Sequence, residues 1–385
     1  MISILKKIYS KFSKLINAKK IWKLPNKNDL LILDETGLDK IKTTIIGKTP
    51  YTILHTRNEY IYIPIFFFSI IFFFKYNTKA YKICFIKYVN PKVILTFVDT
   101  LINFSNTIYD LKHLKYMMIM NGRRHSHEIK ILDTKKKYKL DYYFVFGDYY
   151  KKFVEDKLNC QTISTGSIIA NSIEKPVFQT IEKIQFISSW TPGHLDKFYG
   201  KNVEKEFRIA TKFILNVIEK FRNKKNLSSE ILLRTNYNEE IEFYKIMKND
   251  FKFIKKDNQN FINSYKNLSE KAMIVGQDST FLMESFSLGY RTAFFTFNDR
   301  SLNNSHPDFM RFYPWFWPSK LNEEGFFWCN IRSEEKILKV LDNLFSVDAL
   351  TWKNKIAPYQ KGVMHRNPDN LIIKEILKKE GIKFR

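Results

Sequence analysis

Acidic residues are scarce in this chain: its 385 residues hold 39 Asp and Glu against 64 Lys and Arg, a formal charge of +25. With 16% aromatic residues, that composition excludes a disordered, acidic solvating chain. It favours anionic partners such as nucleotides, acidic glycans or an anionic membrane surface. Lys, Asn, Ile, Phe and Tyr are also the residues that AT-rich codons supply, so genome composition is an equal account of the excess. Nucleic acid is not expected as a partner, because no aromatic RNA-binding signature, zinc module or concentrated basic stripe is present.

Cysteine is rarer still. Cys84, Cys160 and Cys329 stand far apart, which excludes a disulfide framework and any paired metal-ligand spacing and leaves three reduced core residues. The 12 Gly and 11 Pro are too few for flexible low-complexity linkers. No repeat is apparent, which argues against a solenoid. A secretory signal is not found at the amino terminus, so the cytoplasm is the expected location. Long apolar runs are missing too. The longest, 61–74 (IYIPIFFFSIIFFF), falls short of the roughly 20 residues a spanning helix needs and reads first as a buried core helix, with a monotopic membrane-facing helix as the alternative. Residues 1–23 carry seven Lys and no acid, with apolar residues at helical spacing. That basic amphipathic helix either lies on an anionic membrane, which would make the protein peripheral on the inner face of the plasma membrane, or docks on its own domain.

What the chain has is length enough for two hydrophobic cores. Short continuous apolar runs alternate with helical stretches, the signature of parallel strands covered on both faces. Strands are expected at 30–33, 51–55, 92–97, 116–120 and 142–146, then at 184–187, 231–233, 251–254, 272–275 and 292–295. Helices are expected from 60 onward and at 80–88, 203–221, 239–247 and 280–288. Around Pro176 the periodicity lapses. The expected division is therefore a basic helix over 1–25, a first α/β domain over 26–170, a second over 180–360 and a terminal helix over 361–385.

In open parallel sheets, ligands bind beyond the carboxyl ends of the strands. The residues there are Asp34, Glu35, Thr36 and Gly37; His55, Thr56 and Arg57; Asp99; Asn121, Gly122 and Arg123; Ser188; and Arg234. After 272–275 comes the strongest signal, Asp278, Ser279 and Thr280 at the head of a helix. Free amides, hydroxyls and the positive helix end there make a pocket for a nucleotide phosphate, with Glu284 on the face of Thr280 able to meet a ribose. Ser279 or Thr280 serving only as a helix cap is the plain alternative. His125 and His127 lack a surrounding ligand framework, so no metal site is expected. The aromatic run at 309–318 either stacks on a ligand or walls the domains apart.

The stretch GQDSTFLMESFSLGYRTAFF at 276–295 is similar to the carboxyl-domain motif of bacterial surface polysaccharide biosynthesis proteins with a GT-B-like fold. LDETG at 33–37, LHTRNEYIYIPI at 54–65, KVILTFVD at 92–99, MNGRR at 120–124, DYYFVFG at 141–147 and TGS at 165–167 follow the order of the same family, over roughly residues 28 to 330. The resemblance implies an α/β protein of two Rossmann-like domains facing each other across a cleft. It implies a metal-independent glycosyltransferase acting on a nucleotide sugar, with no resident cofactor, and a glycan or lipid-linked acceptor. Ser279, Thr280, Glu284, Arg234, Asp278 and Ser188 would hold the donor, and Asn121, Gly122, Arg123 and Arg57 the acceptor. Glu35 or Asp34, with Asp99 in reserve, would take the acceptor's proton. Transferases of CMP-activated acidic sugars share the acidic pair and the Ser/Thr motif, but here the His306-Pro307 pair falls after that motif. A teichoic-acid-like glycerophosphotransferase and a non-catalytic nucleotide-sugar-binding scaffold are the rival readings.

Overall fold

A computed structural model describes residues 17–57, 59–73, 78–100, 102–122, 138–155, 158–190, 203–248, 250–255, 257, 261–277, 279–297 and 324–384. Most of the basic helix expected over 1–25 lies outside them, as do Arg123, His125, His127, Asp278, His306 and the run 309–318.

Fourteen strands are present among the described residues: β1 Lys19–Ile21, β2 Leu30–Leu33, β3 Thr52–Leu54, β4 Tyr60–Tyr62, β5 Val93–Thr96, β6 Lys115–Ile119, β7 Tyr142–Val145, β8 Gln161–Ser164, β9 Lys183–Ile187, β10 Ser228–Leu232, β11 Lys252–Ile254, β12 Ala272–Gly276, β13 Thr292–Phe295 and β14 Trp328–Cys329. They form two six-stranded sheets and one two-stranded sheet, and every pairing between them is parallel. The central strands (LLIL, VILT, AMIVG) are apolar but for Thr96 and buried at every residue, as in parallel sheets covered on both faces.

The first sheet runs in the order β3-β2-β5-β6-β7-β8 and the second in the order β11-β10-β9-β12-β13-β14. Counted from β9, the second has the 3-2-1-4-5-6 order of dinucleotide-binding folds. The first reverses direction between β2 and β5, and the second between β9 and β12. This is the α/β, two-domain GT-B architecture, with the carboxyl edges of both sheets turned to a common cleft.

The main helices are α1 Ile63–Phe73, α2 Thr78–Val89, α3 Asp148–Glu155, α4 Val203–Lys225, α5 Asn238–Met247, α6 Thr280–Leu288, α7 Glu334–Ser346, α8 Ala349–Val363 and α9 Leu371–Lys379. Three points depart from expectation. Lys19–Ile21, inside the basic helix expected over 1–25, is a strand, held by parallel pairing with β4. Tyr60–Tyr62 is a strand, since its aromatic and β-branched residues pair with β1 before the helix begins. Helix α1 is buried on only one side, at Ile65 and Ser69, while Phe67, Phe68, Ile71 and Phe72 face outward. No helix among the described residues is long and apolar enough to cross a membrane.

The chain crosses between the sheets twice. After α8 it returns to the first half, where the His365 amide donates to the Phe146 carbonyl at 2.7 Å and the Tyr142 hydroxyl to Glu380 at 2.6 Å. Asn171 and Asn370, both buried, lock the seam: the Asn171 amide donates to Asn370 Oδ1 at 2.8 Å, and Asn370 donates to the Ile168 carbonyl at 2.9 Å. Gly147 and Gly362 are in contact there, because a Cβ on Gly147 would lie 2.3 Å from the Gly362 carbonyl oxygen.

Candidate active site

Seven strand ends converge on one cavity of about 580 Å³, a size that encloses small organic ligands. The first sheet contributes Thr36 and Gly37 after β2, Phe97 after β5, and Asn121 and Gly122 after β6. The second contributes Ser188 after β9, Leu233 and Arg234 after β10, Lys255 after β11, and Ser279 and Thr280 after β12. Both points of strand-order reversal therefore open on the same space, which is where such folds hold ligands.

The β12–α6 corner follows from its residues. Ser279 is extended (φ −144°, ψ 135°) and its Oγ accepts from the Phe281 amide at 3.3 Å, so Ser279 is the helix cap. The positive end of α6 nonetheless points at the cavity, and Gly289 in left-handed conformation closes the helix. Across the gap stands Gly122: a Cβ there would lie 3.9 Å from Thr280 Oγ1. Gly122, just after strand β6 of one half, thus meets the STF segment of the other. Gly37 has φ 76°, and a Cβ on it would sit 2.2 Å from the Phe97 ring, so glycine permits both the turn and the close approach of that ring.

Arg234 owes its placement to Glu240 of α5. This buried carboxylate accepts from the Arg234 amide at 2.8 Å, the Thr235 amide at 2.7 Å, the Thr235 hydroxyl at 2.6 Å and the Ser188 hydroxyl. The Tyr244 hydroxyl donates to Ser188 Oγ at 2.9 Å. The turns after β9 and β10 are therefore tied to one another through one side chain. The Arg234 guanidinium keeps a solvent-facing side yet is crowded by the cleft walls, which makes it less basic than usual, an effect that Glu240 opposes. Arginine so shifted is still a cation at neutral pH.

Glu284 is the one carboxylate among the described residues that lines the cavity. It is buried and accepts from the Ser167 hydroxyl, which belongs to the segment leaving the first half. The Tyr265 hydroxyl also bonds to it, and burial first, then this carboxylate, holds that phenol well above its usual pKa. The cations of the wall are Lys40, Arg234 and Lys255.

Of the expected donor residues, Ser279, Thr280, Glu284, Arg234 and Ser188 line the cavity together, and of the acceptor residues Asn121 and Gly122 do. Arg57 does not: it pairs with Asp34 at 3.5 Å on the surface nearby. The three candidate bases are also absent from the wall. Asp34 is buried in a left-handed turn (φ 73°), where it accepts from the Thr36 amide at 3.0 Å and from the Thr56 hydroxyl. Burial raises its pKa, but these bonds and Arg57 outweigh that and bring it below the usual range. Asp99 is buried and takes a bond from the Tyr143 hydroxyl at 2.8 Å. Glu35 is exposed, adjoins the cavity residues Thr36 and Gly37, and lies 3.6 Å from His55 Nδ1. Burial lowers the His55 pKa, with Glu35, Glu59 and Asp34 acting against that. Among the described residues no cluster of three His, Cys, Asp or Glu side chains could hold a metal ion.

A sequence-family profile described as O-antigen biosynthesis protein matches residues 117–381. This chain belongs to the O-antigen biosynthesis family. The matched segment runs from within β6 to beyond α9, and so includes Asn121, Arg234, Glu240, Ser279 and Glu284. No curated protein matches by sequence. Among solved structures, a Listeria monocytogenes protein described as a UDP-N-acetylglucosamine 2-epimerase aligns with a TM-score of 0.51 at 12% identity, covering 92% of this chain and 96% of that one. A UDP-GlcNAc 2-epimerase from Neisseria meningitidis, solved with UDP-GlcNAc, gives 0.49 at 11% identity over 91% and 99%. A glycosyltransferase from Rickettsia africae gives 0.48 at 12% over 94% and 98%. The Listeria likeness extends over nearly the whole of both chains and agrees with the GT-B architecture read from the sheet orders. The family is thus one of surface carbohydrate biosynthesis with a GT-B-like fold.

Proposed function

We propose that the chain is a glycosyltransferase that moves a sugar from a nucleotide-activated donor to a surface-glycan acceptor in O-antigen assembly. One observation carries the reading. The cavity where both sheets reverse strand order brings Lys40, Arg234, Lys255 and the positive end of α6 together against a single carboxylate, Glu284, that already accepts a bond from Ser167. Such a surplus of fixed positive charge suits a nucleoside diphosphate, and it would stabilise that group as it leaves without a bound metal. No resident cofactor is invoked, since the nucleotide sugar is the substrate. Asp278, next to Ser279 in sequence, would complete the donor turn.

In the proposed reaction the acceptor hydroxyl attacks the anomeric carbon, the bond from that carbon to the diphosphate oxygen breaks, and Glu35 takes the hydroxyl proton. Glu35 is preferred over Asp34 and Asp99 because it is exposed beside two wall residues, whereas the others are buried and bonded. Asn121 and Gly122, with Arg123 and Arg57, would face the acceptor, a glycan or lipid-linked sugar. The cytoplasm is the compartment this reading requires.

A thermal-shift series of UDP, GDP, CDP and CMP compounds on wild type and Arg234→Gln tests the reading. A ligand that fills the cavity at about a hundred times its Kd adds roughly 2.7 kcal/mol to stability. One nucleotide class should raise the melting temperature of wild type and lose that effect in the variant. If none of them does, the proposal fails. Turnover of CDP-glycerol without turnover of any sugar donor would favour a glycerophosphotransferase. Unchanged glycan output after Glu35→Ala would favour a scaffold, and an isomerised sugar nucleotide released without acceptor would mark an epimerase.

A further inference from the structure

Helix α1 is apolar but for Ser69, yet only half of it is covered. A helix apolar all round belongs in a protein core or in lipid. Phe67, Phe68, Ile71 and Phe72 are 55%, 41%, 63% and 72% exposed, and their i, i+1, i+4, i+5 spacing puts them on one face. The opposite face is buried through Ile65 and Ser69 and packs beside α2. Directly before α1, β4 pairs in register with β1, Ile21 opposite Tyr62, so Trp22 emerges next to the start of the helix. Trp22 is 76% exposed and Leu24 is exposed as well. Scattered apolar residues on a surface need no account, but four exposed aromatic rings and two exposed aliphatic chains on one helix face and the strand end beside its start do.

The charge near the patch is predominantly positive, the acid beside it being Glu59, which is exposed and accepts from the Lys19 amide through its carbonyl. Neither 17–28 nor 60–91 contains an Asp or Glu, while Lys19, Lys20, Lys23, Lys79 and Lys87 are exposed. Exposed aromatic side chains on segments that also carry exposed lysines match the two layers of a lipid leaflet with anionic headgroups: rings enter the acyl boundary, lysines meet the phosphates. Since no helix among the described residues can cross a bilayer, insertion would be shallow.

We infer that the outward face of α1, with Trp22 and Leu24, is a monotopic docking surface for an anionic lipid bilayer. The inference stands apart from the transferase reading, because nothing in it depends on what the cavity holds.

Flotation of the full-length protein with phosphatidylcholine vesicles, with and without phosphatidylglycerol, tests it. Wild type should float with the anionic vesicles, less so as salt rises. The double variant Phe67→Ser/Phe72→Ser should lose about tenfold or more in partitioning, with its melting temperature unchanged because both side chains already face outward. Charge reversal at Lys19, Lys20 and Lys23 should erase the preference for anionic vesicles. Failure of wild type to float at low salt, or equal flotation of the double variant, overturns the inference. So does light scattering that shows a dimer broken by the double variant without vesicle binding, which would assign the face to a second copy of the chain.

Discussion

Glu240→Gln is the sharpest probe of how the cavity wall is held. Each carboxylate oxygen of Glu240 receives one backbone N–H, Arg234 on Oε1 and Thr235 on Oε2, besides a hydroxyl on each side. Hydroxyls can rotate to accept from an amide, but a backbone N–H only donates. Whichever way the glutamine amide is turned, its NH2 therefore confronts an N–H, and one buried donor is left without an acceptor. Losing one charge-assisted bond and leaving that donor unpaired costs about 3 kcal/mol. For a domain of this size that is a fall of roughly 6–12 °C in melting temperature, measurable by circular dichroism. Nucleotide affinity, followed by calorimetry below the melting range, should weaken as well, because the turn that carries Arg234 is released. If Glu240→Gln melts within a degree or so of wild type, the four-bond arrangement does not govern this turn and the reasoning is refuted.

Gly147→Ala should destabilise the protein by about 2 kcal/mol or more, as seen in urea titrations, because the new methyl would fall 2.3 Å from the Gly362 carbonyl oxygen and backbone must move to admit it. Gly122→Ala should be tolerated, its Cβ meeting Thr280 Oγ1 at 3.9 Å, whereas Gly122→Leu should weaken nucleotide binding about tenfold or more in calorimetry with little change in melting. His55 is held below its usual pKa by burial, so the folded state binds fewer protons than the unfolded state just below the ordinary histidine range. Stability should then fall as pH drops through that window and level off below the folded pKa, and His55→Gln should flatten this limb of the melting-temperature profile. Asp34 has the opposite chemistry but the same direction: its depressed pKa stabilises the fold above the ordinary carboxylate range and that support vanishes as pH falls through the folded value, so Asp34→Asn should lower stability at neutral pH and converge on wild type in acid.

The parts of this architecture that depend on local composition were legible. Leu30–Leu33 and Thr292–Phe295 are strands over the spans their apolar runs predict, and Thr280–Leu288 is the expected helix. Strand ends then pointed to Asn121, Gly122, Ser188, Arg234, Ser279 and Thr280 before any spatial information. β8 and β14 were not legible: Gln161–Ser164 has one apolar residue and Trp328–Cys329 has two residues in all, so neither carries a periodic signal. Glu240 escaped notice because its meaning lies in Ser188, 52 residues away. Lys40, Lys255 and Tyr265 escaped for the same reason, having no flanking pattern that marks a wall residue, and Ser167, though within the TGS segment, gave no sign of its partner Glu284, 117 residues away. Asp34 and Asp99 were drawn in by their place after a strand and by the resemblance that LDETG and KVILTFVD carry. A carboxylate after a strand can turn outward as a base or inward as a brace, and only the partners Thr36, Thr56 and Tyr143 decide between these.

The second crossing of the chain has a consequence for biosynthesis. Phe146, Asn171 and Tyr142 of the first half find their partners His365, Asn370 and Glu380 only after an entire further sheet has been translated. At ordinary elongation rates that interval is roughly ten to forty seconds. Throughout it the nascent first sheet must wait at the ribosome with an unsealed flank, and a chaperone arriving there would find the very surface that the returning segment later claims.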